Sequence, residues 1–549
     1  MLRRYASRTF VGWIVVLVAI SCPAQEGSPT SPLAPPLTSA LHSISNPMAG
    51  QQYRLRHIII SGNTRTKETL ILHMIPIEEG QLFNQSRWDA GIEQLNRSGL
   101  FKPITPADVV MKPIPQEGVV DIELHLTEAD HHRVDFSGGA GTTGGAGLSF
   151  DYSDTNLTGR GDRLRGRVIF GTRQQVAAGQ YSLSLISQRQ PLFDFGGYYE
   201  RALFVDARLA NGEREPLYLQ QSAGGSAGVS FALTPTRYAI TAPTRAGVTY
   251  SFNVTNSSDR LTTAVLSTTT PSERVRSGSV TMFLLHDTLD RQFDPQKGER
   301  LSIALELEGR ALGGSLNTVQ PVLDYRRFFA LSSKDEARPD KSPVIGFRFR
   351  AANISPFGAS FENRTLSVIN GVPVFKRYFI GGETEIRGYD VNSIAPLARV
   401  ERFLPGPGGE LMLASSEVRP IGGDTKVLFN AELRVPLFWQ FSAAAFFDIG
   451  TSFNSHRLET EQFTTQIPNE PLGMIDLTTV VSRATEPQFQ LPVYRYSVGA
   501  ELRVLVPILN TPLRFIFAAN PNAQTHPPPT AVIAPEKRFA FRFGFSRTL

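Results

Sequence analysis

Arg387 is the residue of this 549-residue chain whose surroundings most constrain its chemistry. It lies in the segment Gly381-Gly-Glu-Thr-Glu-Ile-Arg-Gly-Tyr-Asp390. A guanidinium stays charged at physiological pH and has five N–H donors, so a buried one needs carboxylates, carbonyls or water around it. The glycines let other backbone approach closely. The segment therefore offers charge-assisted hydrogen bonding, although a lone arginine in a glycine-containing loop is more often an ordinary surface charge.

Three other patterns resemble catalytic or ligand-binding motifs, and for each a structural role is favoured. Gly224-Gly-Ser-Ala-Gly228 has the spacing of a nucleophile elbow, but that motif requires a helix after the turn and here a strand is predicted. Gly139-Ala-Gly-Thr-Thr-Gly144 has the spacing of a phosphate-binding turn, again without a following helix. His131 and His132 are predicted to be a solvated pair at a domain junction and not a metal site. No enzyme activity, cofactor or metal is therefore predicted.

The N-terminus predicts export. Residues 1–24 begin with arginines, continue with the apolar run Val11–Ile20 and end at small residues, as a signal peptide does. The only cysteine, Cys22, lies in this segment, so the exported chain would have no disulfide. A lipoprotein signal with Cys22 as the acylated residue is the weaker alternative, because Ala19 stands where a large aliphatic residue is usual.

Residues 25–51 are rich in proline and serine and have no hydrophobic period, so they predict a flexible linker. The whole chain has 55 basic and 50 acidic residues, a net charge of +5, and its basic residues are scattered. A nucleic-acid partner is therefore not predicted.

Residues 52–130 predict a small α+β domain. Tyr53–Ile60 alternates as a strand does, and helical spacing of apolar residues follows from Thr66 and again from about Asn84 to Gly99. Two strands complete the domain, the second of them around Val120–Leu126. The predicted order is strand, helix, helix, strand, strand.

Residues 131–549 break into short alternating segments separated by turn residues. In the last one, Phe539, Phe541, Phe543 and Phe545 alternate with Ala540, Arg542, Gly544 and Ser546. Such phenylalanines form the core of a soluble sandwich or face lipid around a polar lumen, and alternation alone does not decide between the two. The export signal, the lack of disulfides and the lack of a second layer that could bury them favour a transmembrane barrel. About 420 residues at roughly 26 per strand and connection predict 16 antiparallel strands.

The segment Gly381-Gly382 followed by Arg387-Gly388-Tyr389 resembles the lumenal-loop motif of the BamA/TamA family of outer-membrane assembly barrels. Asn430–Leu437 and Phe446–Gly450 resemble the strands that follow that loop, and Gly80–Phe83 resembles part of a POTRA domain. An unrelated α+β domain is the alternative for residues 52–130. Two departures from the family are a single POTRA-like unit, where several are typical, and Leu549 in place of a terminal aromatic residue.

The resemblance implies that a loop at about residues 355–424 folds into the barrel and acts as a latch. The latch residues implied in the loop are Gly381, Gly382, Arg387, Gly388 and Tyr389, and the partners implied on the barrel wall are Glu432, Phe447 and Asp448. Glu383 and Glu385 are weaker candidates in the same loop. The implied role of Arg387 is to keep the loop in place through charge-assisted hydrogen bonds.

The resemblance also implies a function that needs no nucleotide or cofactor, which is insertion of client β-barrels into the bacterial outer membrane. A seam between the first and last strands, at Val134, Phe136, Phe541 and Phe543, would pair with a client strand. The implied partners are unfolded outer-membrane proteins and membrane lipid, with chaperones or accessory lipoproteins at the periplasmic POTRA domain. Secretion of a polypeptide through the lumen and a passive structural barrel are the alternatives.

Overall fold

The structure is a computed structural model, and it describes the following residues: 53–141, 145–172, 174–184, 190–208, 214–234, 242–259, 273–290, 294–331, 342–358, 368–438, 440–469, 473–484, 494–506, 511–526 and 535–545. The predicted signal peptide and linker, residues 1–24 and 25–51, lie outside them. Neither helix of the described residues has the length and hydropathy needed to cross a membrane.

The N-terminal domain has the predicted order of elements, which are β1 (Arg54–Ser61), α1 (Glu68–Met74), α2 (Gln85–Ser98), β2 (Val109–Ile114) and β3 (Val119–His125). A 3-10 turn at Pro106–Asp108 precedes β2. β3 is the central strand, parallel to β1 and antiparallel to β2. The Asn84 side chain accepts a hydrogen bond from Arg87 N at the start of α2, and Gly99 at φ +70° ends the helix.

The remaining strands are β4 (His132–Gly141), β5 (Gly145–Asp154), β6 (Arg163–Gly171), β7 (Gln174–Ser184), β8 (Leu192–Arg208), β9 (Arg214–Ala232), β10 (Thr244–Asp259), β11 (Glu273–Asp287), β12 (Gly298–Glu308), β13 (Thr318–Ala330), β14 (Val344–Asn353), β15 (Ser355–Pro356), β16 (Val368–Ile369), β17 (Val372–Pro373), β18 (Leu397–Pro405), β19 (Leu411–Pro420), β20 (Thr425–Pro436), β21 (Phe441–Phe453), β22 (Glu461–Asn469), β23 (Gly473–Arg483), β24 (Tyr494–Val506), β25 (Thr511–Ala519) and β26 (Phe539–Phe545). Short 3-10 turns lie at Arg310–Leu312 and Val374–Lys376.

In the described part of the chain, sixteen long strands form one closed antiparallel barrel: β4 to β14, β20, β21 and β24 to β26. The last strand, β26, neighbours the first, β4, and the two-residue β15 adds a short pairing beside β13. The predicted fold class, a 16-stranded barrel after a small α+β domain, is confirmed. Closure matters because backbone N–H and C=O groups in lipid must all be paired.

Side chains alternate between the two faces of each barrel strand. On β20 the buried positions include Lys426, Asn430 and Glu432, all polar. On β26 Arg542 is buried whereas Phe541 is 56% exposed. Charged groups therefore line the lumen, and phenylalanines form the outer surface.

The connection between β14 and β20 leaves the barrel at the end opposite to the N-terminal domain, because the strands alternate in direction from β4 onward. Within it, β18 and β19 form a hairpin that pairs with β23, giving a four-stranded sheet in the order β19, β18, β23, β22. Val400, Phe463 and Val481 of this sheet pack against Ile369 and Phe379 of the loop. Only part of segment 355–424 thus lies against the inner wall.

The N-terminal domain contacts the barrel at the turn between β5 and β6. Arg65 donates from Nη2 to Asp154 Oδ2 at 3.2 Å and to Leu157 O at 2.8 Å. Lys67 N donates to Gly159 O at 2.8 Å, and Asn156 Nδ2 donates to Thr66 Oγ1 at 2.9 Å. These bonds fix the domain to the end of the barrel where β4 begins.

Candidate functional site

The loop that carries Arg387 depends on glycines with positive φ. Gly381, Gly382 and Gly388 have φ of 119°, 95° and 95°, a region that other residues rarely adopt. A Cβ on Gly388 would lie 2.5 Å from Asn520 Oδ1 and 2.6 Å from Ala518 Cβ. The glycines therefore permit both the turn and its close contact with the wall.

The Arg387 side chain is fully buried and is held by carboxylates of three barrel strands. Its Nε and Nη2 donate to the two oxygens of Asp448, each at 2.7 Å. Its Nη1 donates to Glu432 Oε2 at 2.7 Å and to Glu501 Oε2 at 3.3 Å. The backbone N–H of Arg387 also donates to Asp448, at 3.0 Å. This bidentate geometry is the strongest that a guanidinium and a carboxylate form.

Further arginines of the wall surround the same carboxylates. Arg434 Nε and Arg503 Nη2 lie 2.7 and 2.6 Å from Glu432 Oε1. Arg503 and Arg514 bind Glu501 at 2.5 and 2.6 Å. Glu432 and Glu501 thus each have three cationic partners, which offsets the cost of removing these carboxylates from water.

Phe447 is not a partner of the latch, so that prediction is wrong. Its side chain is 37% exposed on the outer face, with its ring centroid 6.4 Å from that of Tyr496. Because neighbouring residues of a strand point to opposite faces, an inward Asp448 requires Phe447 to point outward and Phe446 inward. The Arg387 Cζ lies 3.7 Å from the centroid of the Phe446 ring.

The other loop residues of the predicted site also contact the wall. The Tyr389 hydroxyl lies 2.9 Å from Asn522 Oδ1 and 3.1 Å from Tyr496 O. Glu385 is buried with its carboxylate 3.5 Å from Lys426 Nζ, on β20. The Glu383 carbonyl accepts from Arg514 Nη1 at 3.4 Å. The loop is therefore bound along its length and not at one residue.

The predicted seam residues lie on the neighbouring strands β4 and β26. Val134 on β4 is 48% exposed, and Phe541 on β26 packs against Phe517 with ring centroids 5.0 Å apart. Phe136 and Phe543 lie on the same two strands. Whether this seam opens remains a prediction.

The three motif-like patterns have structural positions. Gly224–Gly228 lies inside β9, and Gly139–Gly141 ends β4, while Gly144 is outside the described residues. His131 is buried, so the prediction of a solvated histidine pair is wrong for it. Burial lowers the pKa of His131, because the charged imidazolium is poorly hydrated there.

Sequence reasoning missed several residues of this site: Phe446, Glu501, Arg434, Arg503 and Arg514. A signal for three of them, Arg434, Glu501 and Arg503, was present. Glu432 and Arg434 are two residues apart on β20, as are Glu501 and Arg503 on β24, so each pair shares a face. A repeated Glu-x-Arg spacing on predicted strands would have identified Glu501 as a second lumenal carboxylate.

Comparison with known proteins agrees with this architecture. The pattern of the Omp85 superfamily domain matches residues 156–547. The chain belongs to the Omp85 superfamily. The POTRA pattern, described as a surface antigen variable number repeat, matches residues 53–129. The protein is therefore a bacterial outer-membrane protein of the BamA/Omp85 type with its POTRA domain in the periplasm.

Relatives of this Omp85 protein include the outer membrane protein assembly factor BamA of Neorickettsia risticii (strain Illinois). It is 25% identical over 435 residues, which cover 77% of this chain and 52% of that relative. The chain thus spans about half the length of the relative.

Two solved structures share the fold. BamA from Haemophilus ducreyi lacking POTRA domains 1–3 aligns with a TM-score of 0.61 and 17% identity, over 90% of this chain and 85% of that one. CdiB from Escherichia coli aligns with a TM-score of 0.50 and 14% identity, over 90% and 76%. At these identities the similarity concerns the fold alone.

Proposed function

We propose that this protein inserts β-barrel proteins into the bacterial outer membrane, with unfolded outer-membrane proteins as its clients and without nucleotide or cofactor. The observation that carries the proposal is the attachment of the lumenal loop through Arg387 to Asp448, Glu432 and Glu501. Because the bound loop occupies the lumen, we expect client strands to pair with the barrel at its wall, within the membrane.

The alternative of secretion through the lumen requires the loop to move aside. That movement would separate Arg387 from three buried carboxylates, and breaking such a pair typically costs about 3–5 kcal/mol. Pairing of a client strand at the seam between β4 and β26 requires no passage through the lumen. The bound loop therefore favours assembly over secretion.

The POTRA domain supplies an edge strand on which an extended client, chaperone or accessory lipoprotein segment can pair. The outer side of β1 is already occupied at the start of the strand, since Leu55 N donates to Gln81 O and Phe83 N donates to Tyr53 O. β2 is the opposite edge of the sheet. Pro113 fits there, because proline is tolerated on edge strands where no N–H bond is lost.

The edge proposal is tested by placing a photoreactive residue at Val110 on β2 and, as a matched control, at Ile59 on β1. Val110 and Ile59 pair with the same residue of β3, Glu123, from opposite sides, and are 38% and 51% exposed. Cross-linking of an unfolded client at Val110 but not at Ile59 is expected. Equal capture at both positions would contradict binding at the β2 edge.

The function is tested by depleting the protein and quantifying the outer-membrane proteome. Loss of many unrelated barrel proteins is the expected result. Loss of a single exported polypeptide would instead support secretion through the lumen, and an unchanged proteome would support a passive barrel.

A further inference from the structure

Arg542 is the charged residue on the inner face of the last barrel strand. The sequence of β26, Phe539–Phe545, places Ala540, Arg542 and Gly544 on one face, and Arg542 is buried while Phe541 is exposed. A guanidinium at this position must find an acceptor inside the barrel.

The acceptors of Arg542 lie on the lumenal loop. Its Nη2 donates to Asp390 Oδ1 at 2.8 Å and to the Gly388 carbonyl at 3.2 Å. Asp390 is three residues after Arg387 in the same turn. One short segment of loop therefore binds the acidic wall through its arginine and the last strand through its aspartate.

The backbone around this pair is shaped for close contact. Asn520, just after β25, donates from Nδ2 to the Gly388 carbonyl at 3.1 Å and to Lys537 O at 2.8 Å. A Cβ on Gly544 would lie 2.9 Å from Glu383 Oε2. The loop thus lies against β26 at Gly544 and is linked through Asn520 to Lys537, just before the strand.

β25, the neighbour of β26 in the barrel, is joined to the same network. Arg514 on β25 donates to both oxygens of Glu501, each at 2.6 Å, and Glu501 also accepts from Arg387. Arg514 pairs in register with Gly544 of β26. Charged contacts therefore continue from Asp448 on β21 to β25, the strand that pairs with β26.

We propose that the Asp390–Arg542 pair couples the lumenal loop to the seam. While the pair is intact the loop holds β26 in the closed barrel, and release of β26 from β4 requires the pair to break. Asp390 and Arg542 are positioning residues in this account. The inference rests on the proposed function, because the step that this pair controls is the opening of the seam.

The coupling is tested by hydrogen–deuterium exchange of the full-length protein in lipid nanodiscs, without client. Asp390→Asn removes the charge of the side chain and keeps its shape. We expect it to speed amide exchange in residues 539–545 by about tenfold, because the loss of one charge-assisted hydrogen bond has an effect of this order. Exchange in β21 should stay unchanged. The double variant Asp390→Arg with Arg542→Asp is expected to slow exchange in β26 back toward the wild-type rate.

Arg326→Met is the matched control, since Arg326 on β13 pairs with Asp324 at 3.1 Å and lies on another part of the barrel. It should leave exchange in β26 unchanged. Unchanged exchange in Asp390→Asn, or an equal increase in Arg326→Met, would overturn the coupling. Because no client is present, either result leaves the proposed assembly function to be judged by the depletion experiment.

Discussion

At the scale of residues, the buried charges of the lumen stabilise one another. Arg387 uses its guanidinium and its backbone N–H on carboxylates, and Glu432 and Glu501 each bind further arginines. Removing one partner of a buried ion pair leaves an uncompensated charge. This destabilises the fold more than replacing the whole pair by apolar residues does. The network therefore positions the loop.

Arg387→Ala is expected to destabilise the barrel by about 3–5 kcal/mol, because three carboxylates lose a shared partner. Arg387→Lys should recover only part of this loss, since an ammonium cannot bind Asp448 bidentately and also reach Glu432. The measurement is the temperature at which heat-modifiable gel mobility is lost. The control is Arg167→Ala, because the Arg167 side chain is 57% exposed. Wild-type mobility and wild-type client assembly in Arg387→Ala would refute the latch.

Phe446 and Phe447 form a matched pair for the two faces of β21. Phe446→Ala is expected to cost about 3–5 kcal/mol, because the ring packs with Ile516 and Ala518 beneath Arg387. Phe447→Ala removes a ring from the outer surface and should cost less. Denaturant unfolding of the two variants in the same lipid measures the difference. A larger loss for Phe447→Ala would contradict the inward position of Phe446.

Much of this residue-scale arrangement could be predicted. A motif linked Arg387 to Asp448 and Glu432, whose contacts are present in the structure. The choice of Phe447 failed because it ignored the alternation of side chains on a strand. Glu501 could not be found from the motif because its contact with Arg387 spans 114 residues of sequence.

At the scale of elements, the loop is bound to the inner wall at two separate places. Lys376 Nζ pairs with Glu308 on β12, whose side chain is fully buried and also accepts from Thr318 Oγ1 at 3.0 Å. Arg387 binds β20, β21 and β24. The loop thus contacts the inner wall at both ends of the stretch from β12 to β24.

Lys376→Met is expected to loosen the β12 end of the loop and to leave the Arg387 end in place. Proteolysis from the outer side should then cut the loop faster near residues 368–376 than in the wild type. The charge exchange Lys376→Glu with Glu308→Lys should restore resistance. Resistance unchanged in Lys376→Met would show that the pair does not hold the loop.

A carboxylate with an unusual pKa holds residues 64–66, the part of the POTRA domain that contacts the barrel. Burial raises the pKa of Glu128, but hydrogen bonds from Thr66, Thr64 and the Arg65 backbone outweigh it and hold this pKa at about 2. A depressed pKa means that the ionised form stabilises the folded state. The contribution is therefore complete above about pH 4.5 and is lost as the pH falls toward 2.

This dependence can be measured by Trp88 fluorescence during thermal unfolding, in a variant whose other tryptophans, Trp13 and Trp439, are phenylalanine. The midpoint is expected to fall between pH 4.5 and 2. Glu128→Gln should lower the midpoint at pH 7 and weaken the acid dependence. An acid dependence of equal size in Glu128→Gln would assign it to other groups.

The elements differ in how far the sequence predicts them. Alternating phenylalanine and polar residues identified the inner and outer faces of β26, and helical spacing with Asn84 and Gly99 identified α2. The four-stranded sheet of β19, β18, β23 and β22 was not predicted, because it pairs loops that are separated by two barrel strands. Such pairing depends on where the barrel places the loop ends and not on local pattern.

At the scale of the whole molecule, a closed barrel, a bound lumenal loop and a docked POTRA domain act as one unit. The loop contacts strands from β12 to β26, while the POTRA domain contacts the turn after β5. In the proposed function, the parts of the described chain that would pair with a client are the β2 edge in the periplasm and the seam in the membrane. This arrangement is the physical basis for proposing assembly at the seam.

The most direct test is reconstitution of the purified protein in liposomes with an unfolded outer-membrane barrel protein, without nucleotide. Folding of the client is followed by its heat-modifiable mobility. The account predicts faster folding than in empty liposomes, with the acceleration kept in Arg326→Met and lost in Arg387→Ala. Folding no faster than in empty liposomes, or equal acceleration by Arg387→Ala, would contradict it.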